Sequence, residues 1–235
     1  TIFVGPEATE EMERLQAEGY KMIINANHLH FADQFLIAAA IARNALGKAI
    51  KSRPLRILAK STYFQEKWQR AFLHRAGAIP AFRKKDIKEL DDYKGENDWR
   101  LPILRKAGER VVRACVNRLT HGDSIVMFGS GERENVSAPG EAQALKRGIG
   151  DMVHLAREEK VKVAVVNAGI TYTEPDNTKS GRLYIAPPMT GDELAGTPEE
   201  ITQAIQKDLE KAVKITAGVE PMPEGTRILE PIEFE

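Results

Sequence analysis

The sequence predicts one α/β domain spanning 1–235, with a central, mostly parallel sheet flanked by helices. Three observations carry this prediction. Short apolar runs rich in β-branched residues alternate with longer segments of helical periodicity. Four of those runs end in polar or glycine-rich blocks, as expected where parallel strands deliver functional groups to one edge of a sheet. A chain of 235 residues with 42% apolar content can also bury a sizeable single core, and no internal repeat, low-complexity tract or domain boundary divides it.

Taken in order, Glu7 to Gln16 reads as a short helix and Tyr20 to Ile24 as a strand ending in the apolar run Met22-Ile23-Ile24. Asp33 to Leu46, rich in alanine, leucine and isoleucine, is a helix, and Arg56 to Ala59 is the next strand. Phe64 to Arg75 is a helix with Phe64, Trp68 and Phe72 at four-residue spacing, a stripe expected to pack inside the protein. Gly77 to Arg83 is a short apolar strand broken by Pro80, and Asp91 to Trp99 is polar and read as a mobile loop. Leu101 to Leu119 is a long amphipathic helix that Gly122 suits as a stop. Ile125 to Phe128 is a strand, Gly148 to Glu159 a helix and Val161 to Val166 a strand, with a loop at Glu174 to Arg182 between two strands. The helix Pro198 to Val213 follows Thr197, a capping residue with Glu200 three positions later. The proline-punctuated end, Glu220 to Glu235, is expected to lie over the surface.

Charge balances overall, at 34 basic against 34 acidic residues, but unevenly along the chain. Residues 41–90 hold 13 Lys or Arg against 3 Asp or Glu, whereas residues 186–235 hold 4 against 11. Such a basic stretch suits an acidic protein, a phosphate-bearing ligand or an anionic lipid surface. Nucleic acid fits less well, because no reader motif accompanies it. The lone Cys115, in a helical pattern, forms no intrachain disulfide and reads as a small buried apolar residue of a reducing compartment. No stretch is apolar over enough residues to span a bilayer.

Chemistry concentrates in the four strand ends. Asn27-His28-Leu29-His30-Phe31-Ala32-Asp33 places a histidine at a sheet rim with a carboxylate close enough to hold its tautomer, the unit that takes a proton from a hydroxyl. The second block is Gly77-Ala78-Ile79-Pro80-Ala81-Phe82-Arg83. Phe128-Gly129-Ser130-Gly131-Glu132-Arg133 is the third, followed by Leu145-Lys146-Arg147-Gly148, and Asn167-Ala168-Gly169-Ile170-Thr171-Tyr172 the fourth.

In this order and at these separations, the blocks resemble those of the glycerolipid acyltransferase family, with its NHxxxxD, GxIPVxR-like, FPEGTRS and VPVGIxY-like motifs, over about residues 20–175. The resemblance implies that His28 is the general base, that Asp33 orients it, and that neither a metal nor a cofactor is needed. It implies phosphate contacts from Arg83 and Arg133, where a planar guanidinium can hold two oxygens at once. Substrate binding is further expected from Ser130, Gly131 and Glu132 of the glycine-rich turn. The implied donor is an acyl-CoA or acyl carrier protein thioester. The implied acceptor is the hydroxyl of a glycerophosphate-type lipid, met in the cytoplasm or on the inner face of a membrane. The aromatic stripe Phe64, Trp68 and Phe72 has a second possible use as an acyl-chain wall.

Two blocks depart from the family pattern. Gly129, Ser130 and Glu132 stand where the family has proline, glutamate and threonine, and Asn167 replaces the fourth-block proline. These changes leave the acceptor unassigned and keep an alternative in view: a catalytically weakened lipid- or acyl-carrier-binding protein of the same fold. Other chemistries fit less well. His28, His30 and Asp33 miss the HxHxD metal spacing by one place, Gln34 stands where a further ligand is needed, and no local spacing around His74, His121 or His154 completes a site. Gly129-Ser130-Gly131 lacks the GxSxG of a nucleophile elbow and the lysine of a P-loop.

Overall fold

The computed structural model describes residues 1–46, 50, 54–83, 86, 88, 92–133, 140–174, 177 and 180–229. These form nine strands: β1 (Ile2–Val4), β2 (Lys21–Ala26), β3 (Leu55–Lys60), β4 (Ile79–Ala81), β5 (Ser124–Phe128), β6 (Val163–Tyr172), β7 (Gly181–Ile185), β8 (Met189–Thr190) and β9 (Arg227–Leu229). Six α-helices accompany them: α1 (Ala8–Ala17), α2 (Asp33–Ala42), α3 (Lys67–Arg75), α4 (Arg100–Thr120), α5 (Gly148–Glu158) and α6 (Pro198–Ala217). All strands join one sheet of order β4-β3-β5-β2-β6-β7-β1-β9, with β8 alongside β6. β4, β3, β5, β2 and β6 run parallel to their neighbours, as does β1 to β7, while β6–β7, β6–β8 and β1–β9 are antiparallel. The predicted α/β class with a mostly parallel sheet is the observed one.

The pleat sorts the core into two layers. Met22, Ile24, Ala26, Val126, Val166, Ala168 and Ile170 face α1 and α2, meeting Met12, Leu15, Ile37 and Ala40. On the other face Ile23, Ile125, Met127, Val163 and Val165 meet Cys115 and Leu119 of α4, Met152 and Val153 of α5, and Ile201 and Ile205 of α6. Central strands buried on both faces read as continuous apolar runs rather than alternating ones, which is why β2, β5 and β6 were conspicuous in the sequence.

Topology then fixes where a site can lie. From β2 the chain passes through α2 toward β3 on one side; from the adjacent β5 it passes through α5 to β6 on the other. The carboxyl ends of β2 and β5 therefore flank a point where connections diverge, the usual position of a ligand crevice in a parallel sheet.

Several elements differ from expectation. The helix expected from Phe64 is a 3-10 turn over Ser61–Phe64 followed by α3 from Lys67. Its aromatic stripe is not core: Phe64 is buried against the His74 ring, but Trp68 and Phe72 are exposed, and α3 buries none of its residues. The polar loop before α4 is tied down where described, since Asp98 is buried and accepts bonds from the Arg100 side chain and from the Arg100 and Lys94 amides. Arg100 and those amides hold the Asp98 carboxyl well below the usual carboxylate range; Asp91 lies outside the described residues. β1 and β9, read respectively as no element and as surface chain, extend the sheet as its last two strands. α6 begins as read, with Thr197 and Glu200 forming a reciprocal capping box.

Candidate active site

Asn27, the first residue beyond β2, fastens the strand end to β6: its Nδ2 donates to the Ile170 carbonyl at 2.8 Å and its Oδ1 accepts from the Ile170 amide at 2.7 Å. His28 follows at once. Its main chain is clasped by Gln143, which accepts from the His28 amide at 3.1 Å and donates to the His28 carbonyl at 2.7 Å. Its ring stacks on Phe128 at the end of β5, with centroids 4.1 Å apart and planes at 16°. Backbone and ring plane are thus held before any substrate arrives.

Asp33, fully buried at the first residue of α2, completes the unit. Its Oδ2 lies 2.8 Å from His28 Nδ1 and also accepts from the amides of Leu29 at 2.7 Å and His30 at 2.9 Å. Its Oδ1 accepts from the Tyr172 hydroxyl at 2.7 Å. A carboxylate among these donors, at a helix N-terminus, serves as acceptor only. The proton between the two side chains then belongs to Nδ1, which leaves Nε2 with a lone pair that can accept a hydrogen bond. Burial, reinforced by Asp33, pushes the Tyr172 phenol well above its ordinary pKa, so it remains a donor. His30 turns aside: its Nδ1 accepts from the Ala32 amide and its ring packs on Phe31.

The third block forms a tight turn directly after Phe128. Gly131 takes φ +73°, which a side chain would strain, and its amide donates to the Phe128 carbonyl at 2.9 Å. The Gly131 carbonyl accepts from Arg83 Nη1 at 3.1 Å, so the second block closes on the third. Arg83 also grips Asp86 through Nε at 3.2 Å and Nη2 at 2.6 Å, and Lys60 reaches the same carboxylate at 3.2 Å. Burial pushes the Asp86 carboxyl up, but the two cations outweigh it and leave it low. Ser130 is buried, and its hydroxyl donates to the main-chain carbonyl of Glu132 at 3.0 Å. Arg133 is exposed, and among the described residues no hydrogen bond or ion pair ties it to the cluster. The structure therefore joins Asp33, His28, Phe128, Gly131 and Arg83 by direct contacts, while Ser130 and Glu132 support the turn and Arg133 stands apart.

Residues 7–171 match the acyltransferase family. The chain belongs to that family. A solved structure, the 1-acyl-sn-glycerophosphate (LPA) acyltransferase PlsC from Thermotoga maritima, superposes with a TM-score of 0.52 at 15% identity, covering 90% of this chain and 70% of that one. At that identity the likeness is one of fold. No curated protein matches the chain.

Within this acyltransferase, the two departures from the family pattern are physically linked. The Gly129 amide, which a proline would lack, donates to Asn25 Oδ1 at 3.1 Å. Asn25 Nδ2 donates to Asn167 Oδ1 at 2.7 Å, and Asn167 Nδ2 donates to the Ile205 carbonyl at 3.1 Å and to Asp208 of α6 at 2.9 Å. A Cβ at position 129 would stand 2.6 Å from both Asn25 Oδ1 and Leu145 Cδ2. Gly129 and Asn167 are thus two ends of one buried polar path, and the residue between them is an asparagine in a central strand.

Sequence reasoning missed Tyr172, Gln143, Phe128 as the ring support, and the pair Asn25 and Asn167. A signal existed for three of these: Asn25 interrupts an otherwise apolar strand, Asn167 does the same in β6, and Tyr172 closes the fourth block. Gln143 lies in an irregular segment and carried none. Among the described residues no cluster of three or more His, Cys, Asp or Glu has metal-ligand geometry, and no helix is long and apolar enough to cross a membrane.

Proposed function

We propose that the protein transfers a fatty acyl group from a coenzyme A or acyl-carrier-protein thioester to a hydroxyl on a glycerophosphate-type lipid. The observation that carries this reading is the 2.8 Å contact of His28 Nδ1 with a fully buried Asp33. His28 Nε2 takes the proton as the acceptor oxygen attacks the thioester carbonyl. The tetrahedral intermediate then expels the thiolate, which leaves with the proton from the imidazolium. No acyl-enzyme intermediate is required, which agrees with the Ser130 hydroxyl being engaged by the Glu132 carbonyl.

Arg83, beside the third-block turn, would meet the acceptor's phosphate with Lys60 in competition with Asp86, and Arg133 would add a second cation from the open side. The basic excess of residues 41–90 suits the phosphates of coenzyme A, an acidic carrier or an anionic leaflet, and favours a peripheral place on the inner face of a membrane. The second reading, a weakened binding protein, draws on the altered third block, in which Ser130 replaces the family's glutamate.

Thiol release separates the two. With acyl-CoA and acyl-carrier-protein donors, and glycerol 3-phosphate, lysophosphatidate or a non-phosphorylated alcohol as acceptor, release should depend on an acceptor and fall by about 10²–10⁴-fold in His28→Ala. Donor binding without turnover in the folded parent would favour the binding protein. Arg83→Lys should raise the KM for the phosphorylated acceptor and leave that for the donor unchanged.

A further inference from the structure

Large aromatic side chains left in water are unevenly distributed over this protein. Phe31, Phe35, Tyr63, Trp68, Phe72, Phe82 and Trp99 are all exposed. Phe31 and Phe35 lie in the loop after β2 and the first turn of α2, and their rings pack edge to face. Tyr63 is in the 3-10 turn that leaves β3, Trp68 in the first turn of α3, and Phe82 is the residue after β4. Trp99 precedes α4, which returns to the start of β5; its N-terminus therefore lies at the edge where β4 ends. With 21 residues and a length of about 31 Å, α4 exceeds the strands it packs on, so that N-terminus overhangs the edge. Since β2, β3, β4 and β5 are parallel, all these segments leave the same edge of the sheet, the one that carries His28.

α3 makes the pattern most explicit. Trp68 is 71% and Phe72 68% exposed, one turn apart, and the helix buries no residue. Lys67, Arg70 and Arg75 share it and are exposed, and it contains no acidic residue. Across the rim, Arg105 and Lys106 are exposed on α4, while the nearby Asp86 and Asp98 are already paired with Arg83, Lys60 and Arg100.

We propose that this aromatic and basic rim docks on an anionic lipid bilayer, presenting the His28 edge to the membrane so that the lipid acceptor enters from the leaflet. The inference rests on the lipid-acyltransferase reading and adds the face that binds. Charge selects the occupant: a second copy would set one basic helix against another, whereas an anionic leaflet complements it. Indole and phenyl rings beside cations are also the residues that partition into a bilayer interface. An acidic carrier protein would use the cations and be indifferent to Trp68 and Phe72.

The test is co-sedimentation of the full chain with phosphatidylcholine vesicles with and without about 30% phosphatidylglycerol. It is paired with turnover of a short-chain, water-soluble acceptor and of the same acceptor class embedded in vesicles. The parent should bind the anionic vesicles and be released by salt. Trp68→Ser with Phe72→Ser, and separately Lys67→Glu with Arg70→Glu, should each weaken binding by about tenfold or more. Both variants should slow turnover on vesicles and keep the parent's melting temperature, and Lys67→Glu with Arg70→Glu should also keep the parent's turnover of the soluble acceptor. Parental vesicle binding in both variants overturns the docking face, as does loss of a dimer in place of lost vesicle binding. Loss of carrier binding in the Glu variant alone, with vesicle binding intact, assigns the cations to an acidic protein and also overturns it. Soluble turnover that survives His28→Ala would instead strike at the acyl-transfer reading, so the two failures are distinguishable.

Discussion

At the residue scale, the candidate site is governed by how many donors one carboxylate serves. Asp33 binds the His28 ring, the Leu29 and His30 amides and the Tyr172 hydroxyl, so it shapes the loop as well as placing the imidazole. Asp33→Asn keeps the side-chain volume but turns an NH₂ toward groups that all donate, and should lower kcat by about 10²–10⁴-fold. Tyr172→Phe removes a single donor and should cost far less, about tenfold or below, with KM unchanged. Equal losses in the two variants would show that the hydroxyl, not the carboxylate, positions the imidazole.

The element scale concerns how β2, β5, β6 and α6 are tied together beneath the site. Gly129→Ala would drive a Cβ against Asn25 Oδ1 and Leu145, parting the Gly129 amide from its buried acceptor. A destabilisation of about 1–3 kcal/mol is expected, read by denaturant unfolding; an unchanged midpoint would mean that the turn relaxes freely. At the far end of the path, burial raises the Asp208 carboxyl above its ordinary pKa, against the opposing pull of Asn167 and Lys211. A carboxyl raised in the fold favours the folded state while protonated, and that contribution is lost as pH rises from the unfolded value, about 4, through the folded one. Asp208→Asn keeps an acceptor for Asn167 and removes the ionisation. Its melting temperature should therefore gain on the parent's as pH rises above about 4, and a difference independent of pH would refute the assignment.

For the whole molecule, the relevant property is cooperativity of the core. Cys115 is fully enclosed among Ile23, Val116, Leu119 and Ile125, and burial pushes its thiol up to about 12. A buried, protonated thiol is inert, so modification by a thiol reagent at about pH 8 should wait for unfolding and follow the denaturant transition. Fast labelling of the native protein would instead reveal local opening between α4 and the sheet.

The central strands, the capping box at Thr197, and the order of the four strand-end blocks were legible without the structure, because periodicity, turn chemistry and spacing are local. β1 and β9 were not: three-residue segments become strands only by pairing with chain more than 170 residues away. Four-residue spacing in Phe64, Trp68 and Phe72 showed that the residues share a helical face, but exposure depends on what lies opposite, and opposite Trp68 and Phe72 lies solvent. Similarly, Arg83 and Arg133 looked equivalent in sequence, yet only Arg83 turns onto the Gly131 carbonyl. The sequence by itself determined the α/β class, the family and the pair His28 and Asp33, since five residues and a helix start suffice to bring those two side chains together. Which groups steady that pair, and which aromatic side chains are left exposed beside it, was decided only by the tertiary structure. Gln143, Phe128 and Tyr172 reach the site from segments more than 90 residues away, and contacts across such distances depend on sheet order, which no local pattern encodes.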